Sequence, residues 1–223
     1  MNVSEALDSR ISCRAFLPDP INEAQIRRIL ERASRSPSGS NVQPWRVYVL
    51  ANGALDDLRA DVTAEMAQHP MGHPAEYNIF PNALKDKYNV RRKKCGEDMY
   101  ATINVPRDDK PGRIAQFKRN FQLFGAPVGL FLYLDRQMGA PQWSDAGMFL
   151  QSLMLAAREE GLHTCAQEAW AVWYDVVARH VNPPDEEMLF CGMAIGKMDE
   201  AHPINKIRTD REAVDDFAEL KGF

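Results

Sequence analysis

The chain has 223 residues, of which 45% are hydrophobic, and this size and composition suit a single globular domain spanning 1–223. The formal net charge is −4, from 27 basic and 31 acidic residues, so no overall basic field favours a nucleic-acid partner. The N-terminus lacks a basic segment followed by an apolar one, and the longest apolar run, 124–134, is too short to span a bilayer, so we expect no membrane association and a cytoplasmic location.

Cysteine and histidine residues are few and widely spaced in the sequence. The four cysteines form no C-x-x-C pair, and the five histidines are scattered. This spacing predicts an intracellular protein with reduced, mostly buried thiols, without a disulfide framework and without a metal site.

The N-terminal segment carries a first basic motif. Residues 3–9 read as a short helix, and the motif R-x-S-x-R follows, formed by Arg10, Ser12 and Arg14. In an extended segment alternate side chains share a face, so these three would project together. Two guanidinium groups and a hydroxyl can hold an anion such as a phosphate, although a solvated basic patch is the more common outcome of such a pattern.

A polar loop follows the next helix. The periodicity predicts a helix over 21–33, with Asn22 and Gln25 forming a capping box, and a strand over 45–50. Between them lies the loop P-S-G-S-N-x-Q-P-W, which begins at Pro37. Its prolines fix the backbone and its small residues leave several N–H groups accessible, as a loop that approaches a flat polar ligand requires. An ordinary connection between a helix and a strand is the alternative.

The middle of the chain changes character. Asn52-Gly53 predicts a turn, and Leu55 to Met66 follow an amphipathic helical pattern. Residues 69–112 are rich in proline, interspersed aromatics and charge, and include the basic run 91–94, which we expect to be an exposed helix face. This excursion is either a solvated, partly mobile insertion or a lid that covers a substrate, since loops of this length are often functional or disordered.

The second half contains the predicted core. Ile114, Phe117, Phe121 and Phe124 would share one helical face, and 128–134 would be a strand buried on both sides. A nearly all-apolar helix should begin at Ser144 or Asp145 and end before Gly161. An extended segment over 162–166, a helix over 173–180 and a strand over 188–195 follow, and the tail carries K-x-R at 206–208. Strands separated by helices indicate α+β or α/β layers.

The catalytic and nucleotide-binding motifs with a strong local signature are missing. The sequence contains no G-x-G-x-x-G after the first strand, no G-x-x-x-x-G-K-[ST], no G-x-S-x-G and no H-E-x-x-H. What remains is a potential anion site built from both ends of the chain together with a polar loop. This combination suits a phosphate-bearing cofactor with a flat polar ring, which itself performs the redox step.

Three motifs in this order resemble the FMN-dependent nitroreductase family: R-x-S-x-R near the start, P-S-G-S-N-x-Q-P-W, and K-x-R in the tail. The resemblance implies an α+β fold with a central mixed, mostly antiparallel sheet flanked by helices. It also implies an intertwined homodimer with composite active sites, FMN as cofactor and NAD(P)H as electron donor. The small aromatic substrate would be a nitroaromatic or a quinone-like acceptor, reduced by ping-pong two-electron transfer.

The resemblance also implies roles for individual residues. Arg10 and Arg208, with Lys206, would bind the FMN phosphate, and Ser12 and Arg14 would reach the ribityl chain and the pyrimidine ring. Asn120 is a further candidate for the pyrimidine edge. The loop would come from the neighbouring subunit and comprises Pro37, Ser38, Gly39, Ser40 and Asn41. The segment facing the flavin ring comprises Ala166, Gln167, Glu168 and Ala169, with the backbone N–H of Glu168 or Ala169 near N5.

No side chain is expected to act as a catalytic acid or base, because the redox chemistry is centred on the flavin, and Glu168 can equally be a solvated loop carboxylate. The sequence departs from the family in having Ala166 where proline is common and Ala169 where glycine is common. A flavin enzyme of this family that performs dehalogenation or dehydrogenation, or a flavin-binding protein without turnover, remains an alternative.

Overall fold

A computed structural model describes all 223 residues. The helices are α1 Val3–Ser9, α2 Glu23–Ala33, α3 Asn52–Gln68, α4 Asp86–Thr102, α5 Lys110–Lys118, α6 Ala140–Glu159, α7 Tyr174–Val181 and α8 Val214–Phe217. The strands are β1 Trp45–Ala51, β2 Val128–Asp135, β3 His163–Gln167 and β4 Glu187–Gly196. Short 3₁₀ helices cover Gly39–Asn41, Arg119–Gly125, Glu168–Trp173 and Pro203–Lys206. The α+β prediction is confirmed.

The sheet has the order β1-β2-β4-β3, and all three pairings are antiparallel. A single parallel bridge between Ser12 and Thr164 attaches the N-terminal segment beside β3. Strand β2 is central and buried from Val128 to Leu134, as predicted for a strand covered on both faces. The edge position of β3 leaves its outer side available to the segment that carries R-x-S-x-R.

Side chains of β2 alternate between two hydrophobic cores. Leu130 and Leu132 pack in the core that α2 and α6 cover, whereas Phe131 and Tyr133 pack in the core that contains Trp170. This alternation is the period-two pattern of an extended strand. The long helix α6 therefore lies on one face of the sheet, while α3, α7 and the 3₁₀ helix 168–173 lie on the other.

Two predicted helix boundaries were wrong. Helix α6 begins at Ala140, before Ser144 and Asp145, because the N–H of Gly139 donates to Gln142 Oε1 at 3.2 Å and Pro141 fits the first turn. Its end before Gly161 is confirmed, with Gly161 at φ +74°. Likewise Asn52-Gly53 does not form a separate turn but opens α3 directly, with Asn52 at φ +52°.

The predicted continuous helical face from Ile114 to Phe124 was also wrong. Helix α5 ends at Lys118, and the chain then changes to a 3₁₀ helix in which Leu123 and Phe124 adopt left-handed φ values of 49° and 53°. Phe121 and Phe124 are buried, whereas Ile114 and Phe117 are exposed. The capping box at α2 is half formed: Asn22 Oδ1 accepts the N–H of Gln25 at 2.9 Å, without the reciprocal bond.

Residues 69–112 form an excursion that contains α4 and the start of α5. None of the residues of α4 is buried, and the basic run 91–94 lies on an exposed helix face, as predicted. Two members of that run pair with the C-terminal tail, Arg91 with Glu212 at 2.8 Å and Lys94 with Asp210 at 2.9 Å. Among all the helices, none is both long enough and apolar enough to cross a membrane.

His163 on β3 is buried beside cationic side chains. Its Nδ1 lies 3.2 Å from Arg158 Nη1, and only 8% of its surface is exposed. Burial, reinforced by the positive charges of Arg158 and Arg208, lowers the pKa of the imidazole to about 4. The folded protein therefore holds this histidine neutral.

We predict that this neutral imidazole makes the fold acid-sensitive. Between the ordinary histidine pKa of about 6.5 and the folded value of about 4, the unfolded chain binds more protons than the folded one, so stability falls as the pH falls. His163→Gln should remove up to about 3 kcal/mol of that pH-dependent loss. Urea unfolding at neutral pH and at about pH 4.5 measures it. The same pH dependence in both proteins would contradict the prediction.

Candidate functional site

The two basic motifs meet through the buried side chain of Asn205. Its Oδ1 accepts the backbone N–H of Arg14 at 2.8 Å. Its Nδ2 donates to the carbonyl groups of Ala15 at 2.8 Å and Asp199 at 2.9 Å. Only 3% of Asn205 is exposed, so one amide joins the N-terminal segment to the C-terminal turn in a largely dry environment. The bridge between Ser12 and Thr164 fixes the same segment from the side of the sheet.

These contacts surround a cavity of about 410 Å³ at the surface. Its lining includes Arg10, Ser12, Arg14, Arg208, Arg211 and Cys95. None of these four arginines forms a salt bridge, since the arginines that do so lie elsewhere in the chain. We call this feature the arginine cavity. The lining also contains one carboxylate, Asp8, which forms no salt bridge with these arginines. Four guanidinium groups against one carboxylate leave an excess of positive charge that suits a multiply charged anion such as a phosphate monoester.

The arginines are oriented by backbone carbonyl groups instead of by acids. Arg14 Nη1 donates to the Ser12 carbonyl at 3.1 Å, and Arg208 Nη1 donates to the carbonyls of Asn205 at 3.0 Å and Ile207 at 2.8 Å. Each guanidinium has five donors, so most of them stay free for a ligand. The structure therefore brings Arg10, Ser12 and Arg14 together, as their spacing predicts, and adds Arg208, as the resemblance implies.

Lys206 lies apart from Arg208, the other basic residue of the K-x-R motif. It is exposed and does not line the arginine cavity, so its assignment to a phosphate stays a prediction. Sequence reasoning missed Arg211 and Asn205. Arg211 lies three residues beyond Arg208 and could have been found by extending the K-x-R motif. A lone asparagine in a tail carries no such signal, because its usual role is to form a turn.

A smaller cavity of about 160 Å³ continues from Arg14 towards Asn120. Helix α4 contributes Met99 and Tyr100 to it. The Gln167 Nε2 atom donates to the Asn120 carbonyl at 2.8 Å and lies 3.2 Å from Asn120 Oδ1, so two of the predicted site residues are in contact. Gln167 Oε1 is buried without a hydrogen-bond partner. Such an acceptor normally finds a donor, from protein, water or ligand.

The segment 166–169 ends β3 and begins the 3₁₀ helix 168–173. Ala166 and Glu168 are exposed, whereas Gln167 between them is buried. The segment is held from behind by Trp170, whose indole lies against Gly192 so closely that a Cβ there would come within 2.3 Å. Desolvation raises the pKa of the Glu168 carboxyl, although the residue as a whole remains exposed to solvent.

The polar loop lies on the other side of the sheet, on the first half of α6. The Gly39 N–H donates to the buried Asp145 Oδ2 at 3.2 Å, and the Gln43 N–H donates to Ser38 Oγ at 3.0 Å. Ser40 and Asn41 adopt left-handed φ values of 50° and 59°. Pro37, Gly39, Ser40 and Asn41 are exposed. Within one chain none of the loop residues lines the arginine cavity.

Three of the four thiols are buried and therefore unreactive. Cys13, Cys165 and Cys191 are buried, as predicted, whereas Cys95 is exposed on α4. Burial raises the pKa of Cys13 to about 12 and also raises the pKa of Cys165, so neither is a thiolate at neutral pH. None of these buried thiols is a candidate nucleophile.

Comparison with known proteins adds a family to this geometry. The family model described as the nitroreductase family matches residues 7–197. The 4-nitrobenzoate reductase of Pseudomonas putida is 36% identical over 218 residues, which covers 96% of this chain and 93% of the relative. The nitrobenzene nitroreductase of Ectopseudomonas oleovorans is 32% identical over 215 residues, with coverage of 96% and 95%.

A solved structure agrees over the whole length. The crystal structure of the FMN- and NADPH-dependent nitroreductase NfnB from Sphigopyxis sp. strain HMH has a TM-score of 0.96 and 43% identity, and the match covers 100% of both chains. The family match takes in both the R-x-S-x-R segment and the polar loop, and this structural match extends over the tail. The chain belongs to the nitroreductase family.

Proposed function

We propose that the protein is an FMN-dependent nitroreductase that transfers electrons from NAD(P)H to nitroaromatic or quinone-like acceptors. The observation that carries the proposal is the arginine cavity, whose four unpaired guanidinium groups suit the phosphate of FMN. The kinship to the 4-nitrobenzoate reductase of Pseudomonas putida, at 36% identity, supports the nitroaromatic class of substrate. The likeness to a nitroreductase described as FMN- and NADPH-dependent supports both cofactors.

The residues present suit both ends of FMN, its phosphate and its ring. Arg10 and Arg208 would hold the phosphate, with Lys206 and Arg211 adding positive charge from the tail. Ser12 and Arg14 would reach the ribityl chain and the pyrimidine ring. Asn120, which lines the smaller cavity and is contacted by Gln167, offers a polar side chain for a ring edge. Ala166 and Ala169 leave space for a flat ring because their side chains are small.

Bound FMN supplies two-electron transfer between a nicotinamide and an acceptor, which we propose to occur in alternating half-reactions of ping-pong type. The chain contributes charge and position. A guanidinium near the pyrimidine stabilises the negative charge that this ring gains on reduction, a role that we assign to Arg14. The backbone N–H groups of Glu168 and Ala169 would orient the ring near N5, and no side chain serves as an obligatory acid or base.

We further propose a homodimer with composite sites. The loop 37–41 is exposed, carries left-handed residues and lines no part of the arginine cavity of its own chain. A loop held in this conformation by Asp145 is suited to a ligand bound by a neighbouring chain. An obligate interface of this kind buries above roughly 2,000 Å². The excursion 69–112 would cover the bound substrate, since Met99 and Tyr100 of α4 line the smaller cavity.

The purified protein provides the direct test of this function. We expect a yellow protein with a flavin spectrum, which NADH or NADPH bleaches under argon and which a nitroarene such as 4-nitrobenzoate reoxidises. A colourless protein that takes up no FMN would refute the proposal. Yellow protein that neither nicotinamide bleaches would favour a flavin-binding protein. Bleaching without reoxidation by nitroarenes or quinones would favour dehalogenation or dehydrogenation.

Arginine variants test the phosphate site. Arg10→Ala and Arg208→Ala should each weaken FMN binding by roughly 10- to 100-fold, the effect of losing a charge-assisted hydrogen bond worth about 1.5–3 kcal/mol. Arg10 is half-buried and Arg208 exposed, so Arg10→Ala should have the larger effect. Fluorescence titration of apoprotein with FMN measures both. Arg27→Ala is the matched control, because Arg27 pairs with Glu23 on the exposed face of α2. Equal affinity in all four proteins would place the phosphate elsewhere.

A mixed dimer tests the composite site. One variant carries Arg10→Glu and Arg14→Glu, and the other carries Gly39→Tyr. Position 39 is suited to this test because a Cβ there meets nothing closer than Asp145 Oδ2 at 3.9 Å, so the chain itself should still fold. Each homodimer should lose FMN at both of its sites.

The two variants are then unfolded and reassembled together at equal concentration. About half of the dimers are mixed, and each mixed dimer has one site with both lesions and one intact site. About a quarter of the wild-type FMN sites should therefore return. If both motifs acted within one chain, every site would keep one lesion. Mixed dimers confirmed by mass spectrometry that bind no FMN would rule out the shared site.

A further inference from the structure

His69 and His73, which the sequence analysis treated as scattered, lie close together just after α3. Glu65, His69 and His73 each place one ligand atom within 4.8 Å of the other two, and the two imidazole rings are 4.7 Å apart. The spacing of four residues between successive members would align them on a helix, but α3 ends at Gln68, and the turn through Gly72 places His73 beside the other two. We call these three residues the His–His–Glu cluster.

Backbone hydrogen bonds fix the position of each member of the cluster. The His69 N–H donates to the Glu65 carbonyl at 2.8 Å, the last bond of α3. The Gly72 N–H donates to the His69 carbonyl at 2.9 Å, and the His73 N–H donates to the Val172 carbonyl at 2.8 Å. Gly72 has φ +79° and packs against Val172, where a Cβ would come within 2.4 Å of the Val172 side chain, so the turn requires glycine.

The surroundings of the cluster are those of a metal site. Asp175 Oδ2 lies 3.2 Å from His73 Nδ1, and His73 Nε2 is buried without any hydrogen-bond partner. A carboxylate on one ring nitrogen orients the other nitrogen towards a metal, as in carboxylate–histidine–zinc arrangements. Arg179 Nη2 holds Glu65 Oε1 at 3.0 Å and leaves Oε2 for a ligand. Helix α7 thus supplies an outer partner for two of the three cluster residues.

We propose that the His–His–Glu cluster binds a divalent transition-metal ion of the zinc class. Two imidazoles and one carboxylate are a ligand set typical of zinc, and a water molecule completes the tetrahedron. Glu65 and Asp175 carry two negative charges against the single positive charge of Arg179, which favours a dication. The ligand atoms must approach to about 3.3 Å, the edge of a tetrahedron with bonds of about 2.0 Å. The exposed side chain of His69 can make this movement and leaves an entry path.

Such an ion would brace the part of the fold next to the predicted flavin-facing segment. It would join the last turn of α3 to the start of the excursion 69–112. Because the His73 N–H also donates to the Val172 carbonyl, the ion would link both of these segments to the 3₁₀ helix 168–173. The site is built from other residues than the arginine cavity, so its existence does not depend on the proposed cofactor.

Zinc titration of tag-free, FMN-loaded protein tests the proposal after treatment with a chelator. We expect one zinc ion per chain by calorimetry. We also expect the melting temperature to rise by roughly 5–10 °C at a hundredfold excess of zinc over its Kd. His69→Ala should abolish both effects, and Asp175→Asn should weaken zinc binding by roughly 10- to 100-fold. His73→Gln provides a second ligand variant if His69→Ala unfolds.

The matched control is His180→Ala. His180 also joins α7 to a carboxylate of α3, Asp61 at 2.8 Å, but lies outside the cluster. This variant should bind zinc as the wild type does. Wild-type protein that binds no zinc at millimolar concentration would overturn the proposal. Unchanged stoichiometric binding in both His69→Ala and His73→Gln would equally overturn it, because the ion would then bind elsewhere.

Discussion

The buried amide of Asn205 is the contact on which the site depends. It satisfies a backbone N–H of the N-terminal segment and two carbonyl groups, one from each side of the junction. A buried polar group left without its partner costs about 1–3 kcal/mol. Separating the two segments would leave several such groups unpaired, so the segments stay together. Arginines nearly two hundred positions apart in the chain therefore keep one arrangement. Hydrogen bonding, not attraction to acids, assembles this concentration of like charge.

Glycine and tryptophan set the position of the segment 166–169. Gly192 on β4 allows the indole of Trp170 to lie directly on the sheet, and a methyl group at that position would push it outwards. The indole also makes edge contacts with Phe121 and Phe131 at centroid distances of 5.7 and 5.1 Å. Overpacking a core position of this kind typically costs about 1–3 kcal/mol. The segment 166–169, which the resemblance assigns to the flavin ring, is thus packed on a rigid cluster of aromatic side chains.

Motif spacing and periodicity predicted the parts of the molecule in which local sequence decides. The four strands, the amphipathic helices α2 and α3, the stop at Gly161 and the shared face of Arg10, Ser12 and Arg14 belong to this group. That Arg208 joins these three followed only from the family resemblance. The start of α6 was missed because a single side-chain cap decides it, and the helical face up to Phe124 was wrong because Leu123 and Phe124 are left-handed. Asn205 depends on tertiary contacts, which no periodic pattern reports, whereas Arg211 and the four-residue spacing of Glu65, His69 and His73 were visible in the sequence and were overlooked.

Helix α4 differs from every other long helix in lacking a buried residue. Ion pairs with the tail hold it, together with the pair between Glu97 and Arg113 of α5, in which Arg113 Nη1 donates to Glu97 Oε1 at 2.9 Å. Exposed pairs of this kind contribute at most about 1 kcal/mol each and weaken as salt increases. A helix attached in this way belongs to the least protected units in native-state hydrogen exchange, and it can detach without exposing a core. Because α4 borders both cavities, its detachment would set the rate at which a bound group is exchanged. Faster exchange in salt would then combine the loosening of this helix with the screening of the arginines themselves, while the sheet and Asn205 stay unchanged.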